Sequence, residues 1–170
     1  MRRKKEINSG KAKTILLSLF IIALTFVNLI IANQIRKSLP RREILPFMSI
    51  EVVFNEGASF GILRNYPALV LILSLLIISA LIIYLFYLLF HESNESKKKN
   101  SSDDSRYTII GLCLTISGGL SNLLERIFFG NVIDYFRIGV WPNFNIADSM
   151  ICIGVAFLIF SFIREGMKKE

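Results

Sequence analysis

Long charge-free runs are the feature that most constrains the fold of this chain. No charged residue occurs from Thr14 to Ile35 or from Asn65 to Phe90, and each run exceeds the roughly 20 residues that cross the hydrocarbon core of a bilayer. A third uncharged run, from Tyr107 to Leu124, is just long enough. A fourth, from Ser149 to Ile163, reaches spanning length only if it is extended backwards across Asp148. We therefore predict four membrane-spanning helices and exclude an ordinary soluble domain.

The predicted architecture is one membrane-embedded domain covering residues 1–170, an all-α membrane protein with a small β-rich region after the first helix. The first apolar run is longer than the core of a cleavable signal peptide, so we predict that this helix is retained. Segment 36–64 contains bulky apolar and β-branched residues between Phe47 and Phe54, which favours one or two short strands near the membrane surface. Segment 91–106 is polar and of low complexity, as in a cytoplasmic linker. The predicted spans are 14–35, 66–90, 107–125 and 144–163.

The distribution of basic residues predicts the orientation in the membrane. With the N-terminus in the cytoplasm, 13 of the 20 Lys and Arg residues fall on the cytoplasmic side, as expected because cytoplasmic loops retain positive charge. Both termini are then cytoplasmic, and segment 36–64 lies outside. Anchoring to anionic inner-leaflet lipid accounts for the net charge of +7. No patch of interleaved basic and aromatic residues points to nucleic acid.

Three acidic residues lie in or beside the predicted spans on the outer side. They are Glu125, at the end of the third span, Asp134, in the following connection, and Asp148, near the start of the fourth span. A carboxylate in or near hydrocarbon is costly and usually functional. The connection contains Gly139 and Pro142, which can turn the chain so that Asp134 and Asp148 approach each other.

The two aspartates have a functional and a structural interpretation. Two neighbouring carboxylates in a partly desolvated site share a proton, and such a pair can activate water and hydrolyse a peptide bond, as in aspartic proteases. In the structural interpretation, Asp148 caps the fourth helix, while Asp134 pairs with Arg126 or Arg137. A transporter that binds a cation or proton at Glu125, or a noncatalytic scaffold, would also account for the spans.

Five ordered sequence blocks support the functional interpretation. Together they resemble the lipoprotein signal peptidase (signal peptidase II) family, across residues 33 to 149. The second block resembles the family's Asn-x-Gly-Ala-x-Phe motif, and the first resembles its Asp-Gln-x-x-Lys motif. The blocks are Asn33-Gln34-Ile35-Arg36-Lys37, Asn55 to Gly61 (NEGASFG), Gly118 to Arg126 (GGLSNLLER), Gly130 to Tyr135 (GNVIDY) and Phe144 to Ser149 (FNIADS).

The resemblance implies a membrane aspartic endopeptidase of the bacterial cytoplasmic (inner) membrane, with its active site near the outer face. It would cut diacylglyceryl-modified prolipoproteins before the lipid-bearing cysteine of the lipobox. Its partners would be these substrates and membrane lipid, and a monomer is consistent with the sequence. By match to the family, Asp134 and Asp148 form the catalytic dyad. The residues that would bind substrate or support the dyad are Asn33, Asn55, Gly57, Asn122, Glu125, Arg126 and Asn145.

Some positions depart from the family pattern or have a plainer explanation. Asn33 and Glu125 stand where the family usually has Asp, so their roles depend on what surrounds them. Asn55 and Gly57 are also typical of a simple turn, and Tyr135 and Trp141 lie where interfacial aromatic residues are common. We expect neither a metal nor a cofactor, since the chain has one histidine, in the predicted linker, and two cysteines, both in predicted spans.

Overall fold

The computed structural model describes residues 2–37, 42–58, 62–92 and 102–167. This part of the chain contains four helices that are long and apolar enough to cross a membrane, so the prediction of a mostly helical membrane protein with a small sheet is confirmed. In chain order the elements are α1 (Arg2–Lys37), β1 (Arg42–Leu45), β2 (Met48–Asn55), α2 (Pro67–Glu92), α3 (Ser102–Phe129), β3 (Val132–Ile138) and α4 (Ile146–Met167). The candidate spans are Ile15–Lys37, Pro67–Phe90, Ser105–Phe129 and Ile146–Met167.

Two elements extend or add to the predicted layout. Helix α3 begins at Ser102, inside the segment predicted as a linker. Its first turn is polar and precedes the apolar part of the helix, so a charge-free run does not mark it. Strand β3 was not predicted. Its residues Val132, Ile133, Asp134 and Tyr135 are all buried, so it lacks the alternation of apolar and polar residues that marks a strand with one exposed face.

Helix α3 is the centre of the bundle and packs against each of the other three helices. Within the protein, 56% of its span is buried, against 17–22% of the other three spans. Its mean hydropathy is accordingly the lowest, at 1.4, because much of its surface contacts protein rather than lipid. Buried Leu112 and Ile116 of α3 pack with Leu85 of α2 and Ile21 of α1.

The sheet joins one end of the helix bundle. Its strand order is β1-β2-β3, and both pairings are antiparallel. Gly130, with φ of +75°, follows α3 and allows the chain to turn directly into β3. Ile133 and Tyr135 of β3 pack against Ala32 near the end of α1. The ends of α1 and α3 and the start of α4 therefore meet at the sheet.

Helices α3 and α4 are in close contact at Gly118. A Cβ atom at this position would overlap the carbonyl oxygen of Ala147 and lie 3.0 Å from Cγ1 of Ile151. Backbone cannot yield as a flexible side chain can, so Gly118 lets the start of α4 approach α3. Because Asp148 follows Ala147, this contact also fixes the depth of Asp148 in the bundle.

We expect Gly118→Ala to destabilise the protein by about 1–3 kcal/mol, because it forces the two helices apart. Thermal unfolding in detergent measures this effect. The matched control is Gly166→Ala, because a Cβ at Gly166 meets nothing within 4 Å and alanine favours a helix over glycine. Equal melting temperatures for the two variants would contradict the close contact.

Candidate active site

The structure brings Asp134 and Asp148 to one cavity. Asp134 lies on β3, where it pairs with Val53 of β2, and Asp148 lies in the first turn of α4. Both line a cavity of about 690 Å³. Asp134 is 5% exposed, and Asp148 is close enough for its charge to act on Asp134. The convergence predicted from the acidic pattern is therefore present.

Asn145 connects the two aspartates. Its Nδ2 donates a hydrogen bond to Asp134 Oδ1 (3.3 Å), and its backbone N–H donates to Asp148 Oδ2 (3.1 Å). Its Oδ1 accepts from the backbone N–H of Asp148 (2.8 Å). The reciprocal bonds between Asn145 and Asp148 form a capping box at the start of α4. One buried residue, through its side chain and its backbone N–H, thus both begins the helix and fixes the relative positions of the carboxyl groups.

Two further asparagines each hold one aspartate. Asn122 Nδ2 donates to Asp148 Oδ1 at 2.8 Å, and Asn55 Nδ2 donates to Asp134 Oδ2 at 2.9 Å. Asn55 faces Val132 across the β2–β3 pairing, so Asp134 is its diagonal neighbour, within side-chain reach. Asn55 Oδ1 also accepts from the N–H of Gly57 (2.9 Å). The turn expected at these residues exists, and it orients the amide that contacts Asp134.

Burial is the main influence on the protonation of Asp134. The pKa of this carboxyl group is raised to about 7, chiefly by burial and next by the nearby negative charge of Asp148. The hydrogen bond from Asn55 and the positive charge of Arg126 act in the opposite direction. Two carboxyl groups in one desolvated site cannot easily ionise together, so the pair retains a proton near neutral pH.

Arg126 fixes the loop after β2 over the site. Its Nη2 donates to the carbonyl oxygen of Gly57 (2.7 Å), and its Nη1 donates to that of Asn122 (3.3 Å). The Nε atom is buried without a hydrogen-bond partner in the described structure. Arg126 also lines the cavity, so it places a positive charge beside the aspartates. Ser59, Phe60 and Gly61 of the same sequence block lie outside the described residues.

The cavity has a polar and an apolar part. The polar part holds the two aspartates with Asn55, Asn122 and Arg126, and the apolar part follows the facing surfaces of α2, α3 and α4. Trp141, which is 65% exposed, contributes to the lining, so it is an exposed residue that also borders the cavity. The apolar lining includes Val70, Ile77, Ile78, Leu81 and Ile151.

Other residues singled out in the sequence lie around this network. Glu125 is 3% exposed and contacts Arg36 and the backbone of β3. No hydrogen bond in the described structure joins Asn33 to the aspartates. Among the residues described, no three His, Cys, Asp or Glu side chains converge to bind a metal ion.

The interfacial interpretation of Tyr135 is wrong. This side chain is only 2% exposed, and its hydroxyl oxygen accepts a hydrogen bond from the N–H of Ile146 (3.2 Å) at the start of α4. Burial raises the pKa of Tyr135 to about 12, so the hydroxyl group stays neutral. Its adjacency to Asp134 in a strand buried on both faces is the signal that could have identified this role.

The structural interpretation of the aspartates is correct only for Asp148. Its carboxylate does cap α4, through the bond from the Asn145 N–H. Arg137, however, pairs with Glu51 of the neighbouring strand β2 (3.2 Å). The hydrogen bonds that Asp134 accepts come from Asn55 and Asn145. A cap alone therefore does not account for two carboxyl groups that are held by three asparagines, one of which contacts both.

Comparison with known proteins identifies the family. The family model for signal peptidase (SPase) II matches residues 15–164. A lipoprotein signal peptidase from Syntrophotalea carbinolica is 31% identical over an alignment that covers 91% of this chain and 98% of the relative. The chain belongs to the signal peptidase II family. Members of this family are lipoprotein signal peptidases, which cleave the signal peptides of prolipoproteins, and this member is a multi-pass bacterial membrane protein.

Other relatives agree with this family assignment. The lipoprotein signal peptidase of Streptococcus pneumoniae is 28% identical, with 90% of this chain and 95% of the relative covered. That of Geobacter sulfurreducens is 44% identical over 70 residues, which are 39% of this chain and 44% of the relative's length. A solved structure of a bacterial membrane enzyme shares the fold, with a TM-score of 0.71, 22% identity, and 91% and 92% of the two chains covered.

Proposed function

We propose that the chain is an aspartic endopeptidase that removes the signal peptide of a prolipoprotein by cutting before its diacylglyceryl-modified cysteine. The observation that carries this proposal is the buried pair of Asp134 and Asp148, held together by Asn145 in one cavity. Family membership supplies the substrate class. The carboxyl pair supplies the chemistry.

In the proposed mechanism one proton is shared between the aspartates. Asp148, in its ionised form, takes a proton from a water molecule between the two carboxyl groups, and the resulting hydroxide attacks the scissile carbonyl carbon. Protonated Asp134 donates a hydrogen bond to the carbonyl oxygen, for which its pKa of about 7 is suited. The tetrahedral intermediate then breaks its C–N bond as Asp148 passes the proton that it took from water to the leaving amine. The products are a signal peptide with a new carboxyl terminus and a free cysteine amine.

The surrounding residues have separate proposed roles. Asn55 and Asn122 hold the carboxyl groups, and Arg126, which lines the cavity, donates to a substrate carbonyl next to the cut. The apolar part of the cavity takes apolar groups of the substrate, which reach it by lateral diffusion in the lipid. Trp141 lies at the border between these two regions.

We also propose the orientation that the basic residues predict, with both termini in the cytoplasm. The sheet and the aspartates occupy the bundle end formed by the C-terminal ends of α1 and α3. With a cytoplasmic N-terminus this end lies at the outer face of the cytoplasmic membrane. Signal peptides of exported proteins are accessible there, which fits the substrate class.

A transporter is less well supported, because Glu125 is already engaged. Its Oε2 accepts hydrogen bonds from Arg36 (3.2 Å) and from the backbone N–H of Ile133 (3.1 Å). An ion-binding carboxylate would have to exchange these partners for the ion. The arrangement favours a structural role for Glu125 beside the dyad.

The test is cleavage of a prolipoprotein by the purified chain in lipid vesicles. We expect a diacylglyceryl-modified prolipoprotein to yield a fragment whose N-terminal residue is the modified cysteine, as identified by mass spectrometry. The same prolipoprotein without the lipid modification is the control, and it should remain intact. A cut elsewhere, equal cleavage of both substrates, or no cleavage by folded protein would contradict the proposal.

A further inference from the structure

A second polar cluster lies behind the dyad, and we call it the Arg36–Glu125 clasp. Arg36, near the end of α1, forms an ion pair with Glu125 of α3 at 3.2 Å, with side chains only 16% and 4% exposed. The Arg36 guanidinium also lies 4.4 Å from the ring centroid of Phe129 and 5.5 Å from that of Phe54. The aromatic rings and the ion pair together fix the plane of the guanidinium group.

The clasp holds the turn between α3 and β3. Arg36 Nη1 donates to Asn131 Oδ1 at 2.9 Å, and Asn131 lies in that turn. The carboxylate of Glu125 accepts the N–H of Ile133 at 3.1 Å. Ile133 is completely buried, and it immediately precedes Asp134. The cluster therefore ties down both the turn and the backbone unit that carries the first aspartate.

We infer that Glu125 and Arg36 are positioning residues for the reaction and act by fixing strand β3 so that Asp134 faces Asp148. This inference rests on the proposed function. Neither residue lines the cavity, so neither is expected to touch the substrate. A small shift of β3 would move Asp134 relative to Asn145 and Asp148, and a misplacement of about 1 Å can cost about 100-fold in rate.

The first experiment separates catalysis from substrate binding. We expect Glu125→Gln and Arg36→Gln each to lower kcat by about 10- to 100-fold, with a change in KM of less than about threefold, since the substrate surface is intact. Glu125→Asp retains a charged acceptor and should lose less activity than Glu125→Gln. Unchanged kcat in both Gln variants, or a loss confined to KM, would overturn the inference.

The exchanged pair tests which contact matters. In the double variant Arg36→Glu with Glu125→Arg the two charges are still opposite, but arginine cannot accept the Ile133 N–H bond. We therefore expect its kcat to stay as low as that of Glu125→Gln. Recovery to the native kcat would show that the ion pair alone suffices, and it would overturn the role of the contact with β3.

The sheet offers a matched control in the pair Arg137 and Glu51. Their N–O distance is also 3.2 Å, but their side chains are 48% and 33% exposed. Exposed ion pairs contribute little, so Arg137→Gln and Glu51→Gln should leave kcat within about twofold of native. A loss equal to that of the clasp variants would assign the effect to the sheet in general and overturn the inference.

Folding and the proposed function are monitored separately. Thermal unfolding of each variant shows whether it is folded at the assay temperature, and kcat is compared only among folded variants. If the native chain does not cleave the lipid-modified substrate, the proposed function fails. If the native chain cleaves and the folded clasp variants cleave equally fast, only the positioning role fails.

Discussion

Replacing either aspartate by asparagine is expected to lower kcat by about 10³-fold or more, because general acid–base groups contribute about 10²- to 10⁴-fold each. In the proposed mechanism, Asp148→Asn removes the group that takes the proton from water. Asp134→Asn removes the protonated group that is proposed to donate to the scissile carbonyl oxygen. Initial rates of signal-peptide release, with a lipid-modified substrate at saturating concentration, measure both effects.

Both variants should still fold, which makes the comparison meaningful. Asparagine has the shape of aspartate, and its side-chain oxygen can still accept a hydrogen bond. In Asp148→Asn this oxygen can keep the bond from the N–H of Asn145 that begins α4. The control is Glu51→Gln, which neutralises a partly exposed carboxylate of β2 that pairs with Arg137. Folded protein that keeps native kcat after either substitution would exclude that aspartate from the chemistry.

Asn145 variants should give the next largest effect, and they separate its two functions. Asn145→Ser retains a good N-cap for α4, but it removes the Nδ2 group that donates to Asp134. We expect a melting temperature close to native and a kcat lowered by about 10- to 100-fold, as for other misplaced catalytic groups. Melting curves and initial rates on the same preparation give both quantities.

Asn145→Ala is the companion variant, because it removes the cap as well as the bridge. We expect the same order of loss in kcat, together with a loss of about 1 kcal/mol in stability. A serine variant with native kcat would show that the contact with Asp134 is dispensable. A serine variant as unstable as the alanine variant would show that the cap does not depend on the side-chain oxygen.

The sequence allowed the four spans and the approach of Asp134 and Asp148 to be predicted. Charge-free runs identify spans because hydrocarbon excludes charge, and this cost applies wherever a helix meets lipid. The same cost made Asp134 and Asp148 conspicuous before any family resemblance was considered. The resemblance then pointed to Asn55, Asn122 and Asn145, all of which contact the aspartates directly.

What escaped prediction depends on contacts between distant parts of the chain. Strand β3 is buried on both faces, so no alternation of apolar and polar residues marks it. Without the strand, the sequence does not show that Tyr135 is buried, and its position suggests an interfacial residue. In the sequence, Arg36 is only a charge at the end of a span. The fold shows that it donates a hydrogen bond to Glu125, 89 residues away. The proximity of Gly118 to Ala147 likewise follows from helix packing, which local sequence does not reveal.

The pH dependence of a single turnover most directly tests whether Asp134 and Asp148 work as a pair with one shared proton. The folded-state pKa of Asp134 is raised from 3.8 to about 7. Its protonated form therefore stabilises the folded protein at low pH, and this contribution declines as the pH rises from 3.8 to about 7 and does not change further above that. Melting temperatures at each pH therefore separate unfolding from chemistry. The cleavage rate should fall as pH rises above about 7, when the shared proton is lost. A rate that keeps rising to about pH 9 would contradict the shared proton.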